Sequence, residues 1–175
     1  VGAGQSGTQT TFSSWTPDED DVTTLFKVRV RDSGYPDDVV DTSPGNSRIK
    51  GKIVVTQPNN AGIVWLKGQQ HDIKWTGTGK LYPIKIEYST DNGTSWEGTI
   101  ATLQEGDLSN SGHGNQTYPN WTIPDKNSEE CLIKVSHDNV SFPEVYDVSD
   151  NKFSIRPEFA ITYPALNDNL VVGSN

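Results

Sequence analysis

The chain repeats itself, and the repeat is out of phase with its own ends. Residues 15–64 read WTPDEDDVTTLFKVRVRD…VVDTSPGNSRIKGKIVVTQPNNAGIV, and residues 121–171 read WTIPDKNSEECLIKVSHD…VYDVSDNKFSIRPEFAITYPALNDNLV. Trp15 aligns with Trp121, Phe26-Lys27-Val28 with Ile133-Lys134-Val135 after one residue of slip, and Asp41 with Asp147. Ile49 then aligns with Ile155 and Pro58 with Pro164, an offset of roughly 106 residues. That period exceeds a solenoid repeat and matches one β-sandwich domain. The sequence therefore predicts the C-terminal half of one repeat (1–51), a complete repeat (52–157) and the first strands of a following one (158–175). Serial copies of a small domain point to a spacer, a surface array or an adhesive stalk.

Strand patterns fill the complete repeat. Lys52–Gln57 and Gly62–Leu66 are short apolar runs separated by the turn signal Pro58-Asn59-Asn60. His71–Trp75 alternates with Ile73 and Trp75 on one face, and Tyr82–Ser89 with Ile84, Ile86 and Tyr88 inward and Lys85 and Glu87 outward. Asp91-Asn92-Gly93 is a tight hairpin turn leading into a return strand over Trp96–Thr102. Gln104–Gln116 reads as a long loop, and Trp121–Ile123, Cys131–Ser136 and Lys152–Ile155 as further strands. No window carries a 3.6-residue apolar period, so little or no α-helix is expected. About seven short strands imply an all-β, two-sheet sandwich of immunoglobulin-like or fibronectin-III-like type. Its expected core is Ile73, Trp75, Ile84, Ile86, Trp121, Ile133, Val135 and Phe153.

Charge narrows the partners. Among 175 residues the formal net charge is -9, which argues against nucleic acid or an anionic membrane, since both need a basic face. The same acidity serves solubility. No apolar run reaches the length of a membrane-spanning helix, and the first residues carry no signal-peptide pattern. Cys131 is the sole cysteine and falls on the inward side of an alternating strand, where a thiol acts as a small hydrophobe.

The run VVTQPNNAGIVWLKGQQHDIKWTGTG fits G-x-x-W-x-x-G-x-x-x-x-I-x-W on Gly62, Trp65, Gly68, Ile73 and Trp75. With IKIEYSTDNGTSW, YPNWTIPD, CLIKVSHD and VYDVSDNKFSI, it resembles the immunoglobulin-like domain of the Ser/Thr-rich GPI-anchored membrane-protein family of fungal cell walls. Similar repeats occur in large bacterial and archaeal surface proteins. The resemblance covers residues 53–157 and the matching halves at either end. It implies a non-catalytic β-sandwich in a secreted, cell-surface or wall-associated protein. No Ser/Thr-rich tail or lipid-anchor signal stands within this sequence, so anchoring is not implied.

Chemical motifs are sparse. Ser89-x-Asp91-x-Gly93-x-x-Trp96 matches the Asp-box of sialidase-type propellers, but it occurs once, in a unit far longer than a blade. It is read as a structural hairpin. Glu87 and Glu97 are read as lying on neighbouring strands, yet both as outward and solvated rather than as a paired acid and base. His71, His113 and His137 show no metal-ligand spacing. No catalytic, cofactor-binding or metal-ligating residue is therefore assigned, and no enzyme activity is expected. The clusters Asp18-Glu19-Asp20-Asp21 and Asp37-Asp38 with Asp41, and the pair Asp147 and Asp150, leave two readings open: solvated turns, or calcium at a repeat junction. Trp65 and Trp96, each near a turn, are candidates for a sugar-stacking face. Asn92, Asn115, Asn120 and Asn139 head glycosylation sequons.

Expected partners are further copies of the chain or adjacent repeats, joined through the half-repeats at 1–50 and 159–175, with cell-wall polysaccharide as a further candidate. The alternative function is an accessory carbohydrate-binding module of a secreted enzyme or wall-assembly protein.

Overall fold

Alternating apolar and polar side chains commit 48% of the structure to strands, and the computed structural model, which describes residues 15–159, is all-β. Its strands are β1 (Thr23–Phe26), β2 (Arg29–Arg31), β3 (Val40–Thr42), β4 (Ser47–Ile49), β5 (Lys52–Gln57), β6 (Val64–Leu66) and β7 (Gln70–Thr78). They continue as β8 (Ile84–Ser89), β9 (Gly98–Leu103), β10 (Gly114–Thr122), β11 (Ser128–His137), β12 (Tyr146–Val148) and β13 (Phe153–Arg156). Among the described residues the helical segments are single 3-10 turns at Glu19–Asp21 and Glu105–Asp107, while Ser109–Gly112 turns through Asn110 and Ser111 at positive φ, 43° and 50°.

β7 lies between β5 and β10 in an antiparallel three-stranded sheet. A second sheet runs β6-β13-β11-β8-β9, and β12 also pairs with β11. β6 is parallel to β13, with Val64, Trp65 and Leu66 opposite Ser154, Ile155 and Arg156. The Pro58-Asn59-Asn60 turn thus carries the chain from one sheet to the other instead of closing a hairpin. Asn59 anchors this crossing: its amide donates to Asp150 Oδ2 at 2.8 Å and its Oδ1 accepts from the Asp150 N–H at 2.6 Å.

Inward side chains of both sheets form one cluster. Ile53, Val55, Ile73, Trp75 and Trp121 come from the first sheet; Ile84, Ile86, Cys131, Ile133, Val135, Phe153 and Ile155 come from the second. All eight core positions expected from alternation are buried, Trp121 being the most exposed of them at 8%. Trp65 joins them despite its place beside a turn: its ring stacks on His71 at 4.5 Å and meets Phe153 at 4.7 Å. The expected loop over Gln104–Gln116 is shorter than alternation suggested. β10 begins at Gly114, and buried Gln116 donates to the Ser109 and His113 carbonyls and accepts from the Ser109 N–H at 3.0 Å.

β1–β4 repeat the pairings of β11–β13. Thr23↔Ile49 and Phe26↔Ser47, with a bulge between them, answer to Ser128↔Ile155 and Cys131↔Phe153, also with a bulge. Arg29↔Thr42, Val30↔Asp41 and Arg31↔Val40 answer to Lys134↔Val148, Val135↔Asp147 and Ser136↔Tyr146. This corrects the sequence alignment over one strand: Phe26 corresponds to Cys131 and Val28 to Ile133, so the shared triplet is displaced by two residues. Within one cross-strand pair an aromatic and a small residue have exchanged places, Phe26/Ser47 against Cys131/Phe153. Total volume is roughly kept, which packed cores tolerate. In both cases the phenyl ring meets the preceding tryptophan, Trp15–Phe26 at 4.9 Å and Trp121–Phe153 at 6.5 Å.

Burial separates the two sets. Ile133 and Val135 are fully buried, whereas their counterparts Val28 and Val30 are 53% and 69% exposed. β5, β7 and β10 cover the former, and no described strand covers the latter. The sets abut at two places. The Lys80 N–H donates to the Glu19 carbonyl at 2.8 Å and Lys80 pairs with Asp20. Arg48 pairs with Glu144 at 3.3 Å and lies over the Phe142 ring at 5.1 Å. Gly79, at φ +87°, has no room for a side chain there, since a Cβ would sit 2.7 Å from Val22 Cγ2.

Candidate functional site

The outward side chains of β8, β11 and β12, together with the Ser89–Gly98 hairpin, line a concavity of about 680 Å³. Strand alternation sends Lys85 and Glu87 of β8 and Lys134 and Ser136 of β11 to this face. Lys134 Nζ lies 5.2 Å from the centroid of Trp96, 5.6 Å from that of Tyr146 and 3.3 Å from Glu87 Oε2. Lys85 Nζ reaches Glu87 Oε1 at 2.8 Å. An ammonium over a ring face contributes about 0.5–1 kcal/mol at such partly exposed sites.

Glu87 is not the solvated residue its outward position suggested, for its side chain is 12% exposed. Burial pushes its carboxyl up, but the bond from Lys85 and the charges and bond of Lys134 and Lys85 outweigh this and hold it below the ordinary glutamate value. Glu97 precedes β9 and pairs instead with Lys126 at 3.3 Å.

The hairpin owes its shape to one carboxylate. Asp91 Oδ1 accepts from Ser89 Oγ at 2.7 Å and the Ser95 N–H at 2.8 Å, and Oδ2 accepts from Ser95 Oγ at 2.6 Å. Bonds from the Ser95 side chain and backbone, then Ser89, lower the Asp91 carboxyl to about 2. Asn92 and Gly93 both take positive φ, 59° and 78°, and Trp96 packs back against Gly93. Both carboxylate oxygens of Asp91 and the Ser89 hydroxyl are spent on this turn.

The remaining candidates are separate. His71 lies under Trp65; burial lowers it below the ordinary histidine value, against the charge of Asp72. His113 accepts from the Gly79 N–H at 3.1 Å and faces Glu19 at 3.6 Å. His137 Nε2 bonds the Tyr82 carbonyl at 3.0 Å, its Nδ1 is buried without a partner, and burial lowers it. Burial raises the Cys131 thiol, the reverse of what a nucleophile needs. Within the acidic clusters, Asp18 and Asp21 cap their own 3-10 turn, Asp20 pairs with Lys80, Asp41 accepts from the Thr42 N–H, and Asp147 accepts from the Val55 N–H. Among the described residues no group of three or more His, Cys, Asp or Glu stands close enough to hold a metal. Asn92, Asn115 and Asn120 are exposed and Asn139 is half-buried. Ile161, Leu170, Val171 and Val172, expected to begin the next repeat, lie outside the described residues.

No protein-family model matches the chain, and no curated protein matches it. Among the described residues no helix is long and apolar enough to cross a membrane.

Proposed function

We propose that the chain is a non-catalytic structural repeat of an extracellular surface protein, a surface layer, fibre or adhesin stalk, built from tandem immunoglobulin-like β-sandwiches. The observation that carries this reading is the matching register of five cross-strand residue pairs, in two strand pairings, between β1–β4 and β11–β13, including the bulge. Two sheets sharing one core, with β6 added parallel to β13, support the sandwich. The resemblance to wall-associated immunoglobulin-like domains supports a place at the cell surface. A C-terminal half-repeat (1–51), a complete repeat (52–157) and the first strands of a third (158–175) then follow one another, and neighbouring repeats or copies are the partners. An antibody against residues 52–157 should label intact cells that make the protein. Labelling that requires permeabilised cells would contradict the reading.

A second reading, an accessory carbohydrate-binding module, draws support from the Trp96 and Tyr146 rings flanking a concavity that also holds Glu87, Asn92 and Asn139. Retention on insoluble cell-wall polysaccharide that Trp96→Ala abolishes would favour it. Equal passage of both forms would dismiss it.

A further inference from the structure

We propose that the face of β1–β4 that no described strand covers is an interface for the front half of another repeat of this kind, a segment like residues 52–106 joined ahead of Val1. This rests on the tandem-repeat reading above. The pairing of β11 with β8 states what the occupant must look like. Ile133, Lys134 and Val135 face Tyr88, Glu87 and Ile86, and Val28, Arg29 and Val30 hold the corresponding places on β2 and just before it. Val28 and Val30 keep the apolar inward positions that β5, β7 and β10 cover in the central unit. Arg29 keeps the cation that Lys134 offers to Glu87 at 3.3 Å. Asp41 keeps the carboxylate with which Asp147 accepts the Val55 N–H at 2.7 Å, and among the described residues it accepts from its own neighbour Thr42. The sequence before Trp15 continues the match, for Thr11-Phe12-Ser13-Ser14-Trp15 lines up with Thr117-Tyr118-Pro119-Asn120-Trp121.

A bare strand edge beside an apolar face gains ladder bonds and burial together when such strands are added. Shape, charge and edge bonding therefore all specify a strand set of the β5–β9 type. Any unrelated apolar partner would leave Arg29 and Asp41 unanswered.

The test joins a second copy of residues 52–106 ahead of Val1 in the full chain and follows amide hydrogen exchange, with β7 as the internal record of the folded central unit. The amides of residues 27–31 should slow by about 100-fold or more in the graft. Val30→Lys should abolish that gain in the graft while leaving the exchange of the ungrafted chain unchanged. Asp41→Ala should reduce the gain. Unslowed exchange at 27–31 over a protected β7 would overturn the proposal and leave the surface-repeat reading to the antibody test. A graft in which β7 itself loses protection would also count against the fit. Protection of 27–31 that appears in the ungrafted chain with rising concentration would assign the face to a second copy and overturn it likewise.

Discussion

The backbone N–H of Val55 donates to Asp147 Oδ2 at 2.7 Å, tying β5, an edge of one sheet, to β12 at an edge of the other. Val55 is 1% exposed, so this N–H has no water to fall back on. Asp147→Ala should cost about 1–3 kcal/mol, the penalty of a buried donor left unmet. Asp147→Asn, which keeps an acceptor oxygen, should cost less. Denaturant unfolding of the two variants checks the order.

Trp75 occupies the centre of the shared core at 1% exposure. Trp75→Ala should destabilise the chain by about 3–5 kcal/mol, as emptying a buried aromatic site does. Trp96, half-buried on the outer hairpin, should tolerate Ala with a distinctly smaller loss, read from the same denaturant midpoints.

Stability should fall on acidification in two stages. His71 and His137 are both lowered, so the unfolded chain takes up protons near pH 6.5 that the folded chain refuses. Above that pH their contribution is complete, and it is lost progressively as pH drops towards their folded values. Asp91 adds a second loss as pH falls from its ordinary 3.8 towards about 2. Thermal unfolding between pH 7 and 5 should show the first stage, and the pair His71→Gln and His137→Gln should flatten it.

Gly79 marks where the two strand sets touch. A side chain at φ +87° is strained, and its Cβ would press on Val22. Gly79→Ala should separate the contact, so that the Lys80 amide, bonded to the Glu19 carbonyl, exchanges faster while β11 amides keep their protection.

Much of this was legible in the sequence because one-sided burial enforces a period of two. Ile73, Trp75, Ile84, Ile86, Ile133 and Val135 are inward in the alternation and inward in the fold. Partner choice was less legible, since alternation says which face a residue takes and nothing about which strand lies beside it. The two apolar runs on either side of the Pro58 turn were legible as strands, but not that β5 and β6 belong to different sheets. β12 escaped notice because three residues on a half-covered edge leave almost no pattern. Glu87 looked solvated because its covering is supplied by Lys85 and Lys134 from the same face, a contact that strand period alone does not encode. The triplet alignment slipped because the exchange of Phe26/Ser47 for Cys131/Phe153 hides the true correspondence from residue matching.

The most direct measurement of the repeat is the set of cross-strand backbone contacts seen by NMR in the full chain. Val30 should contact Asp41 as Val135 contacts Asp147, and Phe26 should face Ser47 as Cys131 faces Phe153. Observation of both sets in these registers is the predicted result. Contacts of the first set in another register, or their absence beside an intact second set, would contradict the account.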